Sequence, residues 1–164
     1  MFGFIKVFFR RQKIKRKIKR WVRKGCTSWD LSLLKMNNDD VKLLAEALKK
    51  NDTLTELSLG GNEISEDGAK ALAEMVKENN TITCVYLWSN NIGDEGAVAL
   101  AEALKVNNTL IDLDLSNNII EDEGVMALAE ALKVNKTLSD LNIGSNEIGD
   151  KYKEVLKSLP RVKS

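Results

Sequence analysis

The 164-residue sequence predicts an α/β solenoid, a short horseshoe with parallel strands on its concave face and helices on its convex face. Three observations predict it. The text repeats at a 28-residue step, the apolar period changes inside each copy from two to about 3.6, and an asparagine recurs where the two periods meet. Thr53, Thr81, Thr109 and Thr137 mark the step, and so do Leu57, Val85, Leu113 and Leu141. An earlier copy begins at Gly25, with Trp29 and Leu31 in the places of Leu57 and Leu59. The units are 25–52, 53–80, 81–108, 109–136 and 137–164, preceded by a separate segment, 1–24.

Segment 1–24 holds eleven Lys and Arg and no Asp or Glu. The other 140 residues hold 14 basic and 24 acidic side chains, a net of −10, so the overall +1 hides a basic arm on an acidic body. Within QKIKRKIKRWVRK (12–24), Ile14, Ile18 and Trp21 are spaced four and three, a narrow apolar helical stripe amid Lys13, Lys15, Arg16, Lys17, Lys19 and Arg20. Several roles stay open for it. It can cap the first unit, or lie on an anionic membrane with Phe2, Phe4, Phe8 and Phe9 dipping in. Calmodulin-type capture, nuclear import and nucleic acid are further alternatives; the acidic body and the lack of a reading motif weigh against nucleic acid. It can also fold over the acidic face as an autoinhibitory arm. The run MFGFIKVFF is too short to span a bilayer, and its basic residues follow rather than precede it, unlike a signal peptide. The expectation is an intracellular, cytoplasmic protein, with peripheral membrane association as the alternative.

Each unit opens on a strand. In LTELSLGGNEI (54–64) and LIDLDLSNNII (110–120) the leucines alternate with polar neighbours, the pattern of a half-buried strand. The turn follows, with Asn62, Asn90, Asn118 and Asn146 where the chain leaves the strand. A side-chain amide there satisfies backbone groups that a turn leaves unpaired, so a structural ladder of these four is expected. The helix comes last: Ala69, Leu72, Ala73 and Val76, or Ala97, Leu100, Ala101 and Leu104, recur at i, i+3, i+4 and i+7. Asp94 and Asp122 stand just before these helices, where they can cap free donors and favour the dipole. Without a secretion signal, the Asn-x-Thr triplets at 51–53, 79–81, 107–109 and 135–137 read as a repeated turn rather than glycosylation acceptors. Leu34 replaces the ladder asparagine in the first unit, and Lys153, Lys157 and Pro160 replace apolar helix positions in the last, as water-facing end units require. The array therefore reads as complete.

These motifs, LxxLxLxxNxI above all, resemble leucine-rich repeats of the ribonuclease-inhibitor class. LAEALKVNNTLIDLDLSNNIIEDEG (100–124) is similar to the repeats of NOD-like receptors, over residues 25–164. The resemblance implies a protein-binding scaffold. Ran GTPase-activating proteins share a related repeat, which makes a small-GTPase regulator an analogy, but no residue here carries their activity over.

Between the core leucines, alternate strand residues face the concave side. Down the stack they are Ser28, Asp30, Ser32; Glu56, Ser58, Gly60; Cys84, Tyr86, Trp88; Asp112, Asp114, Ser116; and Asp140, Asn142, Gly144. An aromatic pair, Tyr86 and Trp88, thus stands among the carboxylates of Asp30, Glu56, Asp112, Asp114 and Asp140, with Asn142 beside them. That pattern suits a basic protein partner. Catalysis is not expected: the chain has no histidine, and Asp112 and Asp114 lack a nearby nucleophile. No cofactor is implied, and no metal, since Cys26 and Cys84 form no CxxC or zinc spacing. Two strand spacings, about 10 Å, keep these cysteines out of disulfide reach.

Overall fold

The computed structural model describes residues 12, 16, 20, 25–157, 159 and 161–163. Lys13, Lys15, Lys17, Lys19 and Trp21 lie outside the described residues, as does most of the basic arm; Arg16 and Arg20 are helical and exposed. From Ser28 onward, strand and helix alternate: β1 (Ser28–Asp30), α1 (Asn38–Leu48), β2 (Glu56–Ser58), α2 (Glu66–Glu78), β3 (Cys84–Tyr86), α3 (Asp94–Val106), β4 (Asp112–Asp114), α4 (Asp122–Val134), β5 (Asp140–Asn142), α5 (Asp150–Lys157) and β6 (Val162–Lys163). The strands pair in parallel in chain order, β1-β2-β3-β4-β5-β6. The fold is an α/β leucine-rich repeat solenoid.

Register follows the 28-residue step: Trp29 is opposite Leu57, Leu57 opposite Val85, Val85 opposite Leu113 and Leu113 opposite Leu141. These middle residues are buried in one continuous core with the helix positions Leu44, Leu72, Leu100, Leu128 and Leu156. The strand residues on either side stay half-buried or exposed on the opposite, open face. Among the described residues, one layer of helices therefore covers a single face of the sheet. Just past each of β1 to β5 the chain enters the left-handed region, at Leu33, Gly61, Ser89, Asn117 and Ser145, φ +52 to +62°. That sharp turn directs the next residue, the ladder asparagine in every repeat but the first, back under the sheet.

Asn118 shows what the ladder does. Its Nδ2 donates to the carbonyls of Leu115 in its own repeat and Leu87 in the previous one, both at 3.0 Å. Its Oδ1 accepts from Ile92 N at 3.0 Å. Asn62, Asn90 and Asn146 make the corresponding bonds; Asn62 ends the series by accepting from Leu34 N and Met36 N. A second ladder, which the sequence reading took only for a turn, runs through the Asn-x-Thr triplets. Asn79, Asn107 and Asn135 are more deeply buried than most of the first ladder. Each donates to two carbonyls of the preceding repeat and accepts the amides two and three residues ahead, as in Asn107 with Val76 O, Asn79 O, Thr109 N and Leu110 N.

Two features differ from expectation. Asp94 and Asp122 do not cap their own helices; each is the first helical residue and reaches the next repeat. Asp94 Oδ1 accepts from Glu121 N and Gly124 N at the start of α4, and Asp122 Oδ1 from Gly149 N ahead of α5. Parallel stacking brings each helix start beside the one before it, and the lack of a side chain at Gly124 permits the approach: a Cβ there would stand 2.7 Å from Asp94 Oδ1. The second difference is β6, which the five-unit reading does not foresee. Arg161 stands beside it and takes the place the next asparagine of the second ladder would hold, donating to the carbonyls of Leu132, Asn135 and Leu138 at 2.8–3.0 Å.

Candidate protein-binding face

The open face gathers the polar strand residues in rows. Cys84, Asp112 and Asp140 form one row opposite Ser28 and Glu56; Tyr86, Asp114 and Asn142 form the next, opposite Asp30 and Ser58. Parallel strands about 4.8 Å apart thus set Asp112, Asp114 and Asp140 within two neighbouring strands. Tyr86 Oη donates to Asp112 Oδ2 at 3.3 Å. Asp114 Oδ1 accepts from Ser116 N and Ser116 Oγ, which fixes its rotamer, and Asp30 Oδ1 accepts from Ser32 N. Asn142 Oδ1 accepts from Gly144 N. Glu56 lies one strand from Cys84, half-buried.

The electrostatics follow from the crowding. Burial first, and then the charge of Asp140, hold the Asp112 carboxyl above the usual carboxylate range; the Tyr86 hydrogen bond and Lys163 pull the other way. Burial, the Cys84 thiol and the nearby negative charges push the Tyr86 phenol up as well. A carboxyl with a raised folded-state pKa favours folding fully below its unfolded value, about 3.9, and that contribution is lost as pH climbs through the raised value. Asp112→Asn keeps an acceptor for Tyr86 and removes the charge. Its melting temperature is expected to exceed that of the wild type at pH 7, and the gap to close below about pH 3.5. A thermal scan at both pH values checks this.

The face also carries a cation that the sequence reading missed. Lys163, on β6, ion-pairs with Asp140. Its only signal in the sequence was a basic residue near the end of the last unit, without a visible strand to place it. Trp88 differs from expectation too. It is half-buried rather than freely projecting, because its indole lies across Gly60, two residues past the end of β2, and buries it. What covers it is backbone, not core. Tyr86 and the three aspartates are brought together, while Trp88 leans away from them toward β2 and Leu33. Among the described residues, no group of His, Cys, Asp and Glu could hold a metal ion, and no helix is long and apolar enough to cross a membrane.

A family model described as Leucine Rich repeat matches residues 50–73, 78–101, 106–129 and 134–151. The chain belongs to the leucine-rich repeat family. No curated protein matches this leucine-rich repeat chain. Among solved structures it is similar to Leiomodin-1 Actin-Binding Site 2, with a TM-score of 0.74 and 28% identity over 86% of this chain and 84% of that one. It is also similar to the tropomodulin C-terminal domain of Caenorhabditis elegans, with a TM-score of 0.70 and 16% identity over 86% and 87%. The second likeness is one of fold alone. Of the two, the first is by name an actin-binding domain.

Proposed function

We propose that this leucine-rich repeat domain is a non-enzymatic interaction module that holds a basic segment of a partner protein on the open, concave face of its sheet. The observation that carries the reading is the cluster of Asp112, Asp114 and Asp140 beside Tyr86, where Asp112 bears a charge that its burial and its neighbour Asp140 both oppose. Charges that destabilise the free domain are relieved by a cation from outside, so part of the binding energy is already stored in the face. Lys163 on Asp140 is an internal example of the pairing that a partner would extend.

The test is a titration of a labelled Lys/Arg-Gly-Ser peptide, followed by anisotropy. The wild type is expected to bind, more weakly as salt rises. Asp112→Asn with Asp114→Asn, and Tyr86→Ala with Trp88→Ala, are each expected to lose roughly tenfold or more in affinity. Equal affinity across the wild type and both double mutants would remove this face from consideration. The likeness to Leiomodin-1 Actin-Binding Site 2 supports a second, narrower reading in which the partner is actin. The same variants titrated with monomeric actin test it: loss in both variants supports actin on this face, and no binding by the wild type ends the actin reading alone.

A further inference from the structure

Trp88 is seated in a way that the acidic cluster does not account for. An ideal Cβ at Gly60 would stand 2.1 Å from its Cε2 and 2.4 Å from both Cδ2 and Nε1. Three ring atoms nearly equidistant from one point mean that Gly60 meets the plane of the indole, not its edge. Gly61 continues this floor, its ideal Cβ 3.5 Å from Cζ3, and Leu33 closes the far side, its Cδ2 2.3 Å from the same position. Leu33 occupies the left-handed turn position, φ +58°, where the other repeats have Gly, Ser or Asn, and it is 71% exposed. A bulky residue in that conformation is strained and solvated, and its contact with the glycine floor is what it gains. One face of the indole is therefore spent on backbone, and the ring, half-buried, keeps part of its surface in solvent.

Carboxylates flank this platform. Asp30 on β1 stands one strand and two residues from Gly60, about 8 Å away by strand geometry, on the side toward which the indole leans, and Asp114 on β4 lies on the side the ring leans away from. A planar cation fits both parts of this arrangement. A guanidinium stacks flat on an indole while its N–H edge stays free to reach carboxylates; a lysine ammonium is compact and strongly hydrated and gains less from the ring. We infer that the platform of Trp88, Gly60, Gly61 and Leu33 selects arginine over lysine in the basic partner segment, by stacking on the guanidinium within the acidic face. This rests on the basic-partner reading above.

The experiment compares two peptides that differ only in carrying Arg or Lys, titrated against the intact chain, Trp88→Leu and Gly60→Ala. The Gly60 variant keeps Trp88 but pushes the indole off its floor. The expected result is a roughly three- to tenfold preference of the wild type for the Arg peptide. That preference should collapse in both variants while affinity for the Lys peptide holds. Equal wild-type affinity for the two peptides would overturn the arginine inference and leave the basic-partner reading standing. An arginine preference that survives in either variant would overturn it as well. Binding of neither peptide would overturn the basic-partner reading itself, and the inference with it.

Discussion

Asn107→Ala is expected to destabilise the domain by about 4 kcal/mol, a large part of the roughly 5–15 kcal/mol that holds a typical domain folded. Asn107 is 4% exposed, and its amide serves four backbone groups: the carbonyls of Val76 and Asn79 and the amides of Thr109 and Leu110. Alanine takes away every partner at once and admits no water in return. A buried donor or acceptor left unsatisfied costs about 1–3 kcal/mol, and local relaxation recovers part of the sum. Asn51 is the informative control. It makes the same turn bonds to Thr53 N and Leu54 N but is only half-buried, and its Nδ2 donates to Thr53 Oγ1 rather than to a preceding repeat. Asn51→Ala is expected to cost less than about 1.5 kcal/mol. Urea unfolding measures both. Equal losses would mean that turn propensity, rather than the bonds between repeats, explains the asparagines.

Arg161→Ala is expected to cost about 2–3 kcal/mol and to loosen the last strand first. The guanidinium of Arg161 holds three carbonyls, those of Leu132, Asn135 and Leu138, through two nitrogens. Arg161→Lys is not expected to restore stability, because a single ammonium lacks the planar fork that spans them. Hydrogen exchange gives the local readout. Leu141 N donates to Arg161 O and Ile143 N to Lys163 O, so these two amides should lose protection while Leu113 keeps its own. Uniform loss of protection across all strands would instead mean that Arg161 acts on the fold as a whole.

The sequence carried the architecture well because a solenoid writes its contacts at one fixed interval. The 28-residue step makes the strand register, the buried row Trp29 to Leu141 and the burial of Leu72 and Leu100 readable without coordinates. What it did not carry was whatever crosses from one repeat into the next by side chain. Asp94 at a helix start reads as a cap for that helix, and nothing in one dimension says that the donors it meets belong to Glu121 and Gly124. The second asparagine ladder had a visible signal, the step shared by Asn51, Asn79, Asn107 and Asn135, but a local turn accounts for an Asn-x-Thr triplet equally well, and bonds to the preceding repeat do not show in one dimension. Arg161 and Lys163 were hidden for the opposite reason: a two-residue strand breaks the repeat text, and only pairing with Leu141 and Asn142 defines it. On the open face, alternation placed Tyr86, Asp112 and Asp140 correctly, yet it could not anticipate that a glycine one strand away would draw Trp88 down flat.

The carboxylate that Asp94 lends forward and the amide that Asn107 reaches backward give the stack a direction. A spare 28-residue segment spliced between two existing ones would find its needs met from upstream and would meet those of its downstream neighbour in the same way. Lengthening from within therefore calls for no new interface, only another copy of one already in use. Turning a segment end for end would strand both kinds of group at once, so growth of such a chain is modular but never reversible in sense.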